Sequence, residues 1–314
     1  MSALLADIGG TNARFALLDG NRIGPPAILP VADYPSAEAA IEAALGLLSA
    51  DNRLDRAVLA VAGPVVTEPV RLTNASWELT AGGIATRFGL RQVRLVNDFV
   101  ALAHALPHLL PGDLLPIGGG LADPAAPMLV LGPGTGLGCA ALVPCPGGPI
   151  AVPTEGGHVG LAAADATQDP LLAALRARCG RAGAEEALSG RGLANLHAVV
   201  AALAGANVPA RDAAAVVASA ADCPVADAAL GHFLDLLAGF AGDMALAWGA
   251  RGGVYLAGGI LPRLVHRLDA KAFRARFEDK APMREWLAGV PLQIVTHPAP
   301  AFPGLAAMAA TLPD

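Results

Sequence analysis

The stretch Ala6-Asp7-Ile8-Gly9-Gly10-Thr11-Asn12-Ala13-Arg14 decides the fold. It joins two apolar runs, Ala3–Ala6 and Ala13–Leu18, through a short glycine-rich connection, which is the signature of a β-hairpin. Paired glycines also let the backbone approach a ligand closely, and the amides of successive turn residues can converge on an anion. Alone, such a hairpin is read as a tight turn. The pattern returns further on: apolar Met128–Leu131, the turn Gly132-Pro133-Gly134-Thr135-Gly136, then apolar Cys139–Val143. Gly10-Thr11 stands 124 residues before Gly134-Thr135, and the same offset superposes Ala16 on Ala140. The echo points to an internal duplication, with two turns that could clasp a polyphosphate from both sides of a cleft.

Outward from these turns the chain alternates helices and strands. Ser36–Leu48 repeats apolar residues at helical spacing, and Arg56–Ala62 reads as a buried strand stopped by Gly63-Pro64. A strand over Gln92–Val96 runs into Asn97-Asp98, which opens a helix from about Phe99 to Leu106, limited by Pro107. The proline- and glycine-rich stretch Leu109–Pro127 is the natural crossing between domains. Helical periodicity returns at Leu171–Arg178, Leu193–Leu203 and Phe233–Trp248. A strand at Gly253–Ala257 breaks at Gly258-Gly259, and a strand at Leu292–Thr296 and a helix over Leu305–Leu312 close the chain. The expectation is an α/β protein of two domains.

Composition narrows the function. At 314 residues and 54% hydrophobic the chain can bury a large core. A net charge of −6 gives no electrostatic footprint for nucleic acid. No uninterrupted apolar run reaches the roughly 18 residues that span a bilayer, and Met1–Ala6 is too short for a signal peptide, so no membrane partner and a cytoplasmic location are expected. The cysteines Cys139, Cys145, Cys179 and Cys223 match neither a zinc pattern nor a redox pair and read as free buried thiols. Lysine occurs only at Lys271 and Lys280, outside every glycine-rich segment, which excludes a Walker A loop and the protein-kinase strand lysine. Phosphate binding must then use backbone amides and a metal, and Asp7, beside the first turn, could hold magnesium through water.

Other residues offer chemistry more ambiguously. Asn97-Asp98 sits at the carboxyl end of a strand, where open α/β sheets bind ligands. Asp98 there can accept a hydroxyl proton, or it can cap the helix and point away from substrate. Glu155-Gly156-Gly157-His158 puts an acid and an imidazole on a flexible loop, where they could grip hydroxyls or be ordinary surface groups. Glu185 and Glu186 read by default as helix-surface charge, and Gly258-Gly259 as a strand-to-helix turn of the kind that also receives a nucleotide. His104, His108 and His297 read as structural.

Taken in order, D-I-G-G-T-N-A-R-F-A-L, L-V-N-D-F, G-P-G-T-G-L-G, E-G-G-H, A-E-E-A-L-S-G and L-A-G-G-I-L-P-R run from Asp7 to Arg263, and the likeness that they carry continues beyond residue 300. This series resembles the bacterial glucokinases of the hexokinase-like, actin-type ATPase superfamily. The zinc-binding C-x-C-G-x-x-G-C run of the related repressor and kinase branch is absent. With the hairpin so near Met1, no DNA-binding module is expected ahead of it, which lowers the repressor reading.

The resemblance implies a two-domain actin-like ATPase fold, ribonuclease H-like in each half. A small domain would cover 1–109 with 301–314 and a large one 110–300. It implies ATP-dependent phosphorylation of glucose at the 6-hydroxyl, the first step of glycolysis, with Mg2+, and a homodimer. Asp98 would be the general base, and Asn97, Asp98, Glu155, His158 and Glu185 sugar ligands, with Glu186 the fallback for Glu185. Asn74, in the Leu72-Thr73-Asn74 segment, would border the sugar. Asp7, Gly9, Gly10, Thr11, Asn12, Gly134, Thr135 and Gly136 would hold the phosphates and metal, and Gly258 and Gly259 the adenosine.

An unperturbed Asp98 with a pKa of about 3.9 would be ionised at neutral pH. Sugar binding would close the domains and so keep water from attacking ATP. The alternatives are a kinase for another hexose, such as mannose or fructose, and a sugar-binding regulator without catalysis. The final helix departs from the family pattern with Ala307 where a second glycine is expected, which bears on local packing.

Overall fold

The computed structural model describes residues 2–48, 54–72 and 76–312. The chain forms two compact units, one of Met1–Leu110 with His297–Asp314 and one of Pro111–Thr296.

The first unit is built on a sheet of β1 (Ser2–Ile8), β2 (Asn12–Asp19), β3 (Arg22–Ile23), β4 (Ala27–Pro30), β5 (Arg56–Val61) and β8 (Gln92–Asn97), in the order β3-β2-β1-β5-β8 with β4 also paired to β2. A small ladder of β6 (Val70–Arg71) and β7 (Glu78–Leu79) lies between β5 and β8 in sequence. β1 and β2 form the expected antiparallel hairpin, closed by the pair Ile8 and Ala13, whereas β5 runs parallel to both β1 and β8. Every residue of β5 is buried, as a central parallel strand covered on both faces requires.

The two-residue side-chain period explains the cover. Leu4, Ala6, Ile8, Ala57, Leu59 and Val61 pack with Ala37, Ala40, Ile41 and Ala44 of the helix Ala37–Leu47. Ala3, Leu5, Val58 and Ala60 pack on the opposite face with Ala101, Phe302, Leu305 and Met308, from the helices Asp98–Ala105 and Ala301–Ala310.

The last helix begins at Ala301 rather than near Leu305, with Pro303 in its first turn, where a missing N–H does no harm. Its closest contact is at Gly304: a Cβ there would stand 2.0 Å from the Ala101 carbonyl oxygen and 2.7 Å from the Ala105 amide nitrogen. Ala307 lies on a half-exposed side, so the alanine that departs from the family pattern leaves this contact untouched. The buried guanidinium of Arg56 donates to the Ala309 and Leu312 carbonyls and fixes the helix end. Gly304→Ala is expected to lower the stability of this unit by about 1–3 kcal/mol, against less than about 1 kcal/mol for Ala307→Gly, read from urea unfolding midpoints.

The second unit carries a sheet of β9 (Leu114–Gly118), β10 (Met128–Pro133), β11 (Leu137–Val143), β12 (Ile150–Thr154), β13 (Gly253–Leu256) and β14 (Leu292–Val295), in the order β12-β11-β10-β13-β14-β9. β10 and β11 are an antiparallel hairpin, β13 runs parallel to β10, and β14 parallel to β13. Strand for strand, β12-β11-β10-β13-β14 repeats β3-β2-β1-β5-β8, and the duplication inferred from the turns is a duplication of whole sheets. β9 is an added antiparallel edge strand, drawn from the proline- and glycine-rich segment that reads in sequence as a linker.

The core of this unit gathers Leu129, Leu131, Cys139, Val254 and Ile294 against Phe233, Leu237, Phe240 and Ala241 of the helix Pro224–Trp248. Among the described residues this one helix is long and apolar enough to cross a membrane by length and composition. Its most apolar window is 67% buried inside the protein, and its Asp235 and Asp243 pair with Arg276 and Lys280. Periodicity finds only its second half because His232 and Asp227 interrupt the apolar run. All four cysteines are free; Cys139 is buried as expected, whereas Cys145, Cys179 and Cys223 are only half-buried.

Candidate active site

The two glycine turns differ by one residue. Leu137 follows Ala13 by 124 residues, but Pro133 follows Ile8 by 125, so the second turn has a residue fewer between its closing pairs. In each, the first glycine amide is used to close the turn: Gly9 donates to the Asn12 carbonyl at 3.0 Å and Gly134 to that of Gly136 at 2.8 Å. Gly9 and Gly134 therefore shape the turns and have no amide left for an anion. The amides of Gly10, Thr11, Thr135 and Gly136 have no acceptor among the described residues and remain available.

In the first unit, Asp7 is the penultimate residue of β1 and its carboxylate meets Arg14, across the hairpin on β2, at 3.4 Å. Burial nevertheless pushes the Asp7 carboxyl above its ordinary range, with Arg14 opposing. Asn97 ends β8, and its side chain, not that of Asp98, caps the helix Asp98–Ala105. Its Oδ1 accepts from the Phe99 and Val100 amides. Its Nδ2 donates to the Gly63 carbonyl at 3.0 Å and to Asp98 Oδ1 at 2.9 Å. The cap reading of Asp98 thus passes to its neighbour. Asp98 Oδ1 also accepts from the Phe99 amide at 3.0 Å.

The Asp98 pKa is raised to about 7, first by burial and next by the negative charge of Asp7, against the lowering effect of its hydrogen bonds. The ordinary value expected from sequence is corrected: burial between a strand end and a helix start, with a second carboxylate close by, is a tertiary property. Thr73 and Asn74 lie outside the described residues.

In the second unit, the groups converge on Leu137, the residue after the turn. Its amide donates to Glu185 Oε2 at 2.9 Å. Its carbonyl faces Gly157 so closely that a Cβ on Gly157 would stand 1.9 Å from the oxygen. Glu185 also lies over Gly136, where a Cβ would meet Oε2 at 2.6 Å, and its carboxylate is only 19% exposed. Glu186 turns instead to Asn195, whose Nδ2 donates to it at 3.3 Å. Gly190, at the start of the helix Gly190–Leu203, donates its amide to the Gly134 carbonyl at 2.8 Å. Gly258, with φ of 92°, has its Cα against the Pro133 carbonyl, where a side chain would stand 2.4 Å from the oxygen. Gly259 faces open space.

Glu155 and His158 are 76% and 63% exposed, and among the described residues their side chains hold only each other, at 3.8 Å. The loop that carries them is docked on the turn while their side chains stay open. His297 is structural as expected, its Nδ1 accepting from the Ala299 amide at 3.0 Å. Sequence reading does not single out Arg14, Gly63, Leu137 and Arg191, whose contacts with Asp7, Asn97 and Glu185 appear only in the fold.

Two sheets of one topology, each opened by a glycine turn, with carboxylates at the strand ends, define a two-domain actin-like sugar kinase. The model of the glucokinase family matches residues 4–312. The glucokinase of Paramagnetospirillum magneticum is 40% identical over 97% of this chain and 96% of its own. That of Cupriavidus pinatubonensis is 44% identical over 98% and 92%. The crystal structure of glucokinase from an Antarctic psychrotroph superposes with a TM-score of 0.89 at 37% identity, covering 99% of both chains. The chain belongs to the glucokinase family and is a hexose kinase.

Proposed function

We propose that the protein transfers the terminal phosphoryl group of ATP to the 6-hydroxyl of glucose, with Asp98 as the base. The observation that carries this is a carboxylate at the end of β8 with a pKa of about 7, where a general base works best near neutral pH. The glucose O6–phosphorus bond forms as the bond from phosphorus to the bridging oxygen of ADP breaks. The hydroxyl proton passes to Asp98 late in a loose transition state. Asn97, whose two amide hydrogens and two lone pairs are all engaged, acts by fixing the Asp98 carboxylate rather than by taking a sugar hydroxyl itself. Glu155, His158, Glu185 and Asn74 take the sugar hydroxyls. The amides of Gly10, Thr11, Thr135 and Gly136 take phosphate oxygens, and Gly258-Gly259 border the adenosine.

Magnesium fits this donor set in one way only. Among the described residues no three His, Cys, Asp or Glu side chains gather to cage a metal. Asp7 is, however, a half-buried carboxylate whose negative charge already penalises Asp98, so a nearby cation would be favourable. Mg2+ commonly keeps several waters and uses one or two carboxylates with substrate phosphates, which suits Asp7 through water. Bound there, it would neutralise charge on the phosphates.

The pH dependence follows from the sign of the Asp98 shift. Below about pH 7 the carboxyl is protonated and cannot accept the hydroxyl proton; above it the base is ionised. The value of kcat/KM for glucose is therefore expected to fall towards tenfold per pH unit on the acid side of about pH 7. A profile flat down to pH 5 would contradict the assignment. The function itself is tested with ATP and a panel of glucose, mannose and fructose. Glucose is expected to lead in kcat/KM by at least about tenfold. Another hexose in front, or sugar binding with no phosphorylated product, overturns it.

A further inference from the structure

Arg191 stands in the first turn of the helix Gly190–Leu203, where the positive end of the helix dipole disfavours a cation. Its position is explained by what it holds. Nη2 donates to Glu185 Oε1 at 3.2 Å and to Glu186 Oε1 at 2.8 Å. Glu186 is held further by Asn195, and Asn195 in turn accepts from Arg178 Nε at 3.1 Å. Two neighbouring carboxylates thus share one guanidinium, and without it their like charges would drive them apart. Glu185 has its other oxygen on the Leu137 amide at the exit of the second phosphate turn.

We propose that Arg191 is a positioning residue for the sugar site: by binding Glu185 and Glu186 together it holds the Glu185 carboxylate on Leu137, so that sugar recognition and the phosphate turn share one fixed group. This rests on reading Glu185 as a ligand of a sugar hydroxyl. Arg191 itself touches neither substrate. Its side chain is 61% exposed, and ion pairs this open contribute little to stability, so its loss acts on geometry rather than on folding.

The test uses the full chain, with KM for glucose and for ATP, kcat and thermal midpoint measured for Arg191→Ala, Arg191→Lys, Glu185→Gln and the double variant Arg191→Ala/Glu185→Gln. Arg191→Ala is expected to raise KM for glucose about tenfold, with KM for ATP within about twofold and the thermal midpoint unchanged. Lysine restores charge without the planar fork and recovers part of the loss. On the Glu185→Gln background the Arg191→Ala step adds less than about twofold, because the two act as a unit.

If Glu185→Gln raises KM for glucose and Arg191→Ala does not, the positioning role is overturned while the sugar-ligand reading stands. If Glu185→Gln leaves KM for glucose unchanged, the sugar-ligand reading fails and the proposal falls with it. A drop in thermal midpoint with all kinetic constants worsening together, unrelieved by lysine, would mark Arg191 as merely structural and equally overturn the proposal.

Discussion

Asp98→Asn is expected to lower kcat by about 10²- to 10⁴-fold, the range that loss of a general base produces, while making the folded protein more stable. Asparagine keeps the shape and can still accept from the Phe99 amide, so the helix start survives. It cannot take a proton. The gain in stability has a sign that can be checked. The folded-state pKa of Asp98, about 7, lies above the unfolded value of about 3.9, so the native state pays to ionise this group. That penalty is absent below about pH 4, grows as pH rises through the interval, and is complete above about pH 7. The thermal midpoint of the variant should therefore exceed that of the parent clearly at pH 8 and by much less at pH 5. Equal midpoints at pH 8, or a kcat within tenfold of the parent, would remove Asp98 from the role of a strained catalytic carboxylate.

Gly157→Ala is expected to be the most damaging single-methyl change in the second unit, lowering kcat/KM for glucose about a hundredfold, as a misplacement near 1 Å does. The new Cβ would stand 1.9 Å from the Leu137 carbonyl oxygen, a backbone atom of β11 that is held by its ladder to β10. The loop bearing Glu155 and His158 must then lift away from the turn. Gly156→Ala is the control. Its Cβ meets the Met244 methyl at 2.9 Å and the Cys139 and Thr154 side chains at 3.1 Å, flexible groups that can yield. Its expected loss is below about tenfold. Steady-state kinetics on both variants decide the matter: equal losses would mean that contact with Leu137 is not what places the loop.

How much of this was legible before the fold is clear from particular residues. The two hairpins were, because a glycine-rich turn between apolar runs is a local signal, and so was the helix Ala37–Leu47, from its apolar spacing. The repeated strand order was not, since parallel pairing of β5 with β1 and of β13 with β10 joins distant segments whose sequences carry no register mark. Nor was the strand inside Leu114–Gly118, where proline and glycine speak for a loop and only an edge position tolerates them.

Within the candidate site, residue types were readable and their state was not. Asp98 and Asn97 exchange the expected cap between them, a one-residue difference set by where β8 ends. The raised pKa of Asp98 depends on a carboxylate on another strand and on burial, neither of which has a local pattern. Glu185 looked like surface charge on a short helix because nothing in its neighbourhood in sequence announces the Leu137 amide. Arg191, in Ser189-Gly190-Arg191-Gly192, carries no local mark of the two carboxylates that it binds.

The most direct test of the central claim is to follow the purified protein with ATP, Mg2+ and glucose by phosphorus NMR and identify the product. ADP and glucose 6-phosphate are expected in equal amounts, and almost none of either when Asp98→Asn replaces the parent protein. A phosphate on any other hydroxyl, ADP released without sugar phosphate, or undiminished turnover in the variant would contradict that claim.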